Sequence, residues 1–279
     1  MSSVLTPTQL RALCEEYGLR PSKGYGQHYL INEAPIMAML KAADVSSDDT
    51  IVEVGPGFGI LTLTVAPLVK RVFAFEIEQK LRPYWEEQIS KHPNIEMIWG
   101  NALQELTAYS LPLTAYKVLA NLPYHITSDV LRVLLELDPG PEKIVVMVQK
   151  EVAERMCAKP GDMSVLSVAV QYYGESRIVT QVSHGSFWPV PKVDSAVVSI
   201  SLHKEKQSKE VAEEFFHVVR SGFAQKRKQL WHNLANGLHL EGDVIKQILR
   251  EVTGNERIRA EEVSVEEWKK IVSLIHHPS

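Results

Sequence analysis

Cysteine is scarce in this chain. Only Cys14 and Cys157 occur in 279 residues. Their spacing suits no metal ion, and one disulfide would be a weak framework for a chain of this length. No metal site is expected, and a reduced, cytoplasmic compartment is the simplest setting. No apolar run of about 18 residues is present, so neither a membrane span nor a membrane partner is expected. The stretch MSSVLTPTQLRALCEEYG has no cationic region followed by an apolar one, and it carries Glu15 and Glu16. That argues against a secretory or transit peptide. A dominant charge of one sign is missing too: the formal net charge is -4, which does not by itself advertise nucleic acid. Internal repeats and low-complexity tracts are also absent.

What is present is an ordinary globular composition, 45% hydrophobic and 23% charged, in a chain long enough for one large domain or two modest ones. The charge is uneven. From Lys206 onward there are 12 Lys and Arg against 11 Asp and Glu, whereas the first 205 residues carry 18 against 23. The densest basic run is QKRKQ, Gln225 to Gln229, which reads either as a nucleic-acid contact or as a solvated helix face.

Periodicity predicts a helix over about 8–17 closed by Gly18, an irregular Gly- and aromatic-rich stretch RPSKGYGQHYLIN, and a helix over about 33–43. Strands are predicted at Thr50 to Val54, RVFAFEI ending at Glu76, IEMIW, YKVLAN ending at Asn121, and KIVVMVQ, with helical segments between them. Strands alternating with helices in this order predict a doubly wound parallel sheet. Two later strands, RIVTQVS and DSAVVSISL, flank the Pro-rich loop HGSFWPVPKV and suggest an antiparallel pair. From about Glu205 onward only short helices are expected, with a boundary near Lys204 where HKEKQSK reads as a linker.

In an open α/β sheet, ligands collect at the carboxyl ends of the strands. Those ends carry GPGFG, Glu76, Asn101 and NLPY. Gly55, Gly57 and Gly59 permit a sharp turn and a close ligand approach, and Ile60 stands where a dinucleotide fingerprint expects a third glycine. Glu76 ends the next strand, where an acid can bind both ribose hydroxyls. Asn101 can accept from an exocyclic amine and donate to a ring nitrogen, or can simply serve as a left-handed turn residue. NLPY suits an exocyclic amine, a poor nucleophile whose lone pair is delocalised into its ring. Acceptors at its N–H groups favour a pyramidal nitrogen and stabilise developing charge. The Asn121 side chain is one acceptor. The Leu122 carbonyl is a second, freed because Pro123 cannot donate to a continuing ladder. Tyr124 can stack on the base. Phe187 and Trp188, in a loop stiffened by Pro189 and Pro191, offer a surface for the base's other face, or a loop packed on the core. Of the two, Phe187 is expected to be the more available ring.

The stretches GQHYL, VEVGPGFG, FEIE, GNAL, NLPYHIT, FWPVPKVDSAVV and QKRKQL occur together and in order. On them the chain resembles the KsgA family of small-subunit ribosomal RNA adenine N6,N6-dimethyltransferases, over most of its length. The resemblance implies a Rossmann-like class I methyltransferase fold, α/β, mostly parallel with an antiparallel C-terminal strand pair, plus a small all-helical C-terminal domain. It implies a catalytic domain with N-terminal extension over 1–204 and a helical RNA-docking domain over 205–279. S-adenosyl-L-methionine is the implied methyl donor. The implied reaction is dimethylation of two adjacent adenines near the 3′ end of small-subunit rRNA, late in ribosome assembly. The expected partner is that rRNA in a pre-ribosomal particle, and the expected state is a monomer. By position, the resemblance implies cofactor contacts from Gln27, which shapes the pocket, His28, Leu30, Gly55, Gly57, Glu76, Asn101 and Asn121. The implied target-adenine groups are Asn121, Leu122, Pro123 and Tyr124, with Phe187 stacking, and Lys226, Arg227 and Lys228 are implied RNA contacts.

Three positions depart from the family pattern. His28 with Tyr29 replaces Asn-Phe, Asn101 replaces an Asp, and His125 replaces an Asn. A related adenine methyltransferase of large-subunit rRNA is one alternative, but its motif carries Ile where Leu122 stands. The long FWPVPKVDS segment and the sizeable helical tail also suit the small-subunit group. A non-catalytic RNA-binding assembly or transcription factor on the same fold is another alternative, against which an intact Glu76 and NLPY argue. A nicotinamide oxidoreductase would have no use for NLPY.

Overall fold

The computed structural model describes residues 4–20, 28–108 and 115–276. Gln27 therefore lies outside the described residues. The helices are α1 (Pro7–Glu16), α2 (Ala34–Ala43), α3 (Ile60–Val65), α4 (Arg82–Lys91), α5 (Ala102–Ala108), α6 (Thr127–Glu136), α7 (Lys150–Met156), α8 (Val165–Tyr173), α9 (Lys209–Gly222), α10 (Leu230–Leu238), α11 (Gly242–Thr253) and α12 (Val265–His276). The strands are β1 (Tyr29–Leu30), β2 (Thr50–Val54), β3 (Arg71–Glu76), β4 (Ile95–Trp99), β5 (Lys117–Asn121), β6 (Lys143–Gln149), β7 (Gly174–Val182), β8 (Phe187–Trp188) and β9 (Ser195–Leu202). Among the described residues no helix is long and apolar enough to cross a membrane.

The chain divides into two compact units, Met1–Ala153 with Ser176–Leu202, and Glu154–Glu175 with His203–Ser279. The boundary expected near Lys204 falls close to the observed change after Leu202. The sequence pattern nevertheless assigns 154–175 to the first unit, whereas it packs in the second. α8 precedes β7 and β9 in sequence, but its Val168 and Tyr172 belong to the core around Phe215, Leu234 and Trp268.

In the first unit, seven strands run in the order β4-β3-β2-β5-β6-β9-β7. β4, β3, β2, β5 and β6 are parallel to their neighbours, and β9 runs antiparallel to β6. The strands read as near-continuous apolar runs because both faces are covered: Ile51, Val52, Val118, Leu119, Val145 and Val146 are all fully buried. Strand order reverses between β2 and β5, which opens a crevice at their carboxyl ends. α6 shows the covering pattern clearly, with Val130, Leu131, Leu134 and Leu135 buried and Arg132 facing Glu136 outside. α1 starts at a capping box, Thr6 Oγ1 accepting from Gln9 N while Gln9 Oε1 accepts from Thr6 N.

One pairing is unforeseen. The YL part of the stretch expected to be irregular forms β1, antiparallel to β8, with Tyr29 opposite Trp188 and Leu30 opposite Phe187. A two-residue strand has no period to read, and its partner lies far along the chain, so only tertiary structure reveals it.

The second unit is helical. α8 through α12 enclose Phe215, Leu230, Leu234, Ile245, Leu249 and Trp268. The basic run, for which a helix face was one reading of the sequence, is not helical. It lies in the turn between α9 and α10, and α10 starts at Leu230.

Candidate active site

A cleft of about 920 Å³ opens in the first unit at the carboxyl ends of β2, β3 and β5. His28, Leu30, Gly55, Gly57, Glu76, Asn101, Asn121, Leu122, Pro123, Tyr124 and Phe187 all line it. The structure thus brings together every cofactor and adenine residue expected from the sequence that falls among the described residues.

The glycine loop between β2 and α3 is left-handed at Gly55, Gly57 and Gly59, with φ of 73°, 56° and 78°. At Gly59 a Cβ would stand 2.8 Å from the Trp85 ring, so the side of this loop facing α4 is filled by protein. Trp85 Nε1 donates to the Gly57 carbonyl (2.9 Å), and Tyr84 Oη donates to the Phe58 carbonyl (2.8 Å). α4 thus holds the loop in shape, which no spacing rule in the loop itself predicts.

Glu76 is buried at 6% exposure. Its Oε2 accepts from Gly57 N (3.0 Å) and its Oε1 from Glu78 N (2.8 Å), so one carboxylate braces the loop after β2 and the loop after β3. Burial pushes its pKa up, while these backbone donors pull it down. A carboxylate offers about four lone-pair sites, so acceptor capacity remains for a ligand. Asn101 caps α5, its Oδ1 accepting from Leu103 N (3.0 Å). It is not the left-handed turn residue that the sequence allowed, since its φ is not positive. Its amide nitrogen and the second lone pair of Oδ1 remain for a base.

NLPYHIT spans the end of β5 and the turn into α6. Leu122 N continues the ladder to the Met147 carbonyl (3.1 Å), after which Pro123 ends it. The Pro123 carbonyl accepts from Ile126 N (3.2 Å) and Thr127 Oγ1 (3.0 Å), which closes the turn. Tyr124 is half-buried, and its Oη lies 2.8 Å from Ser195 Oγ. Burial raises its pKa and this hydrogen bond lowers it. His28 Nδ1 lies 2.6 Å from the Pro189 carbonyl, and its ring is 5.7 Å from that of Tyr124.

Burial in the aromatic loop is the reverse of that expected. Phe187, expected to be the more available ring, is 1% exposed, whereas Trp188, for which both readings stood open, is partly open and packs against the same core. Because Phe187 opposes Leu30 in the β1–β8 pair, its ring turns into the core and reaches the cleft as part of the wall.

Glu53, which the sequence pattern did not single out, also lines the cleft. It is 2% exposed, accepts from Thr62 Oγ1 at 2.6 Å, and has its pKa pushed up to about 8, chiefly by burial. The only signal was an acid inside an otherwise apolar strand. In the second unit, Lys226, Arg227 and Lys228 are exposed together. Their turn is held by the buried Asn233, whose Nδ2 donates to the carbonyls of Gly222 (2.7 Å) and Gln225 (3.1 Å).

This sheet order, an antiparallel strand set between β6 and β7, and a glycine loop, acid and NLPY turn at one edge define a class I methyltransferase. The family described as ribosomal RNA adenine dimethylase matches residues 19–277, and the chain belongs to that family. Ribosomal RNA small subunit methyltransferase A of Dehalococcoides mccartyi is 41% identical over 268 residues, covering 94% of this chain and 91% of that protein. A crystal structure of a dimethyladenosine transferase from Plasmodium falciparum superposes with a TM-score of 0.74 at 25% identity, covering 89% of this chain and 98% of the other. The 23S rRNA methyltransferase ErmE superposes with a TM-score of 0.71 at 25% identity, covering 89% of this chain and 100% of the other.

Proposed function

We propose that this chain transfers methyl groups from S-adenosylmethionine to N6 of two adjacent adenines near the 3′ end of small-subunit rRNA, within an assembling particle. The observation that carries this reading is the NLPY turn, set beside the Glu76-braced glycine loop in one cleft. The 41% identity to a protein named for the small subunit, against 25% to the 23S enzyme, favours the small-subunit substrate.

The cleft residues fit the methyl donor. Glu76 retains acceptor capacity for vicinal ribose hydroxyls, and the Asn101 amide can donate to an adenine ring nitrogen. S-adenosylmethionine supplies an electrophilic methyl carbon on a sulfonium centre. The protein's part is alignment and exclusion of water. The Asn121 side-chain oxygen and the Leu122 carbonyl accept from the adenine N6 amine, which frees its lone pair for an in-line attack. Tyr124 supports the base by stacking, with Phe187 as a fixed wall rather than a mobile cover. The methylated ammonium is a strong acid and sheds its proton without a dedicated base. In the second unit, the exposed Lys226-Arg227-Lys228 turn binds RNA phosphate.

Mass mapping of methylated adenines after incubating small-subunit particles with the protein and S-adenosylmethionine tests the reading. A dimethylated adenine pair is expected, formed about 100-fold more slowly by Asn121→Ala, as for a lost transition-state hydrogen bond. Unmodified small-subunit rRNA, or modification of large-subunit rRNA instead, would overturn it.

A further inference from the structure

β9 is antiparallel to β6, so its first residue, not its last, lies at the carboxyl edge of the parallel strands. Ser195 occupies that position, opposite Gln149 at the end of β6. Its side chain is 0% exposed, and its Oγ meets Tyr124 Oη at 2.8 Å. A hydroxyl taken fully out of water is costly unless it is hydrogen-bonded. Alanine at 195 would keep the strand ladder and shed that cost. An apolar Ala–Phe pair in place of Ser195 and Tyr124 would be nearly neutral for stability. Folding therefore does not require this polar pair.

Orientation does. The turn between β5 and α6 fixes the Tyr124 backbone through the Pro123 carbonyl but leaves the ring free to rotate about two torsions. The Ser195 bond removes that freedom. A second support comes from His28. A carbonyl only accepts, so its Nδ1 carries the proton given to Pro189, and this fixes the imidazole ring 5.7 Å from the Tyr124 ring.

We infer that Ser195, with His28 as a lesser support, is a positioning residue: it sets the plane of Tyr124 on which the target adenine rests. The inference rests on the reading of Tyr124 as that stacking surface.

Steady-state rates on small-subunit particles, with calorimetry of S-adenosylmethionine, test it for wild type, Ser195→Ala, Tyr124→Phe and the double variant. Each variant loses the same bond and keeps an aromatic ring. The expected result is a kcat about 10-fold lower in all three. The double variant is no slower than either single variant. Cofactor affinity stays within about two-fold of wild type, because the bond removed is not one to the cofactor. Wild-type kcat in Ser195→Ala would overturn the inference. So would a double variant that loses the product of the single effects, since Ser195 would then act elsewhere. If Ser195→Ala does not fold, Tyr124→Phe decides alone, and full kcat in that variant overturns the role. A wild type that leaves adenine unmethylated would instead sink the proposed function.

Discussion

Glu53 sits where a strand needs an apolar residue, and stability should register it. Its carboxyl has a pKa of about 8 when folded, against an ordinary value of 4.5. The folded state therefore holds this proton more tightly than the unfolded chain. Its contribution is fully present below about pH 4.5 and is lost as pH rises through 8. Gln can still accept from Thr62 Oγ1 without ionising. Glu53→Gln should match wild type in urea unfolding near pH 5 and exceed it by a few kcal/mol at about pH 8.5. Parallel stability profiles across that range would show that folding does not raise the Glu53 pKa. At this scale the groups with distinctive chemistry were legible: Glu76, Asn121 and Tyr124 stand together with glycine and proline at or just past the ends of apolar runs, and that combination carried the signal. Ser195 was not legible. Serine is ordinary in a strand, and its meaning comes from a partner 71 positions away.

At the scale of elements, the glycine loop and α4 act as one piece. Ligand approach and turn geometry account for Gly55 and Gly57. Gly59 owes its place to a φ of 78° and to Trp85, against which a Cβ would stand at 2.8 Å. Gly59→Ala should therefore lose about 1–3 kcal/mol from left-handed strain alone, with further loss from the clash. Differential scanning calorimetry would show the lower Tm, and a change within error would mean that α4 yields. The five parallel strands and their helices were readable because short β-branched runs alternating with amphipathic stretches have few alternatives. The β1–β8 pair was not, and with it went the burial of Phe187. Two residues on each side give no periodicity, so long-range pairing alone determined which ring faces in.

At the scale of the whole molecule, the two units carry different chemistry, a cleft at the carboxyl ends of the strands in one and an exposed basic turn in the other. Replacing Lys226, Arg227 and Lys228 with Ala should weaken RNA binding uniformly across sequences. It should also flatten the dependence of log K on log salt, by roughly 0.7–0.9 for each phosphate no longer neutralised. An unchanged slope, measured by filter binding across a salt series, would make the turn a solvated feature only. The partition itself divides what each level settles. Local pattern and residue chemistry, read along the sequence, determined the alternation of strands and helices that implies a parallel sheet, the glycine loop, the acid, the NLPY turn and the helical tail. All of these are set by neighbours within a few residues or by the end of a strand. Tertiary structure alone decided that 154–175 joins the second unit, that α4 shapes the glycine loop, that Phe187 turns inward, and that Ser195 meets Tyr124. Each of those depends on segments far apart in the chain coming together, where burial and hydrogen-bond geometry choose among faces that the sequence pattern leaves equivalent.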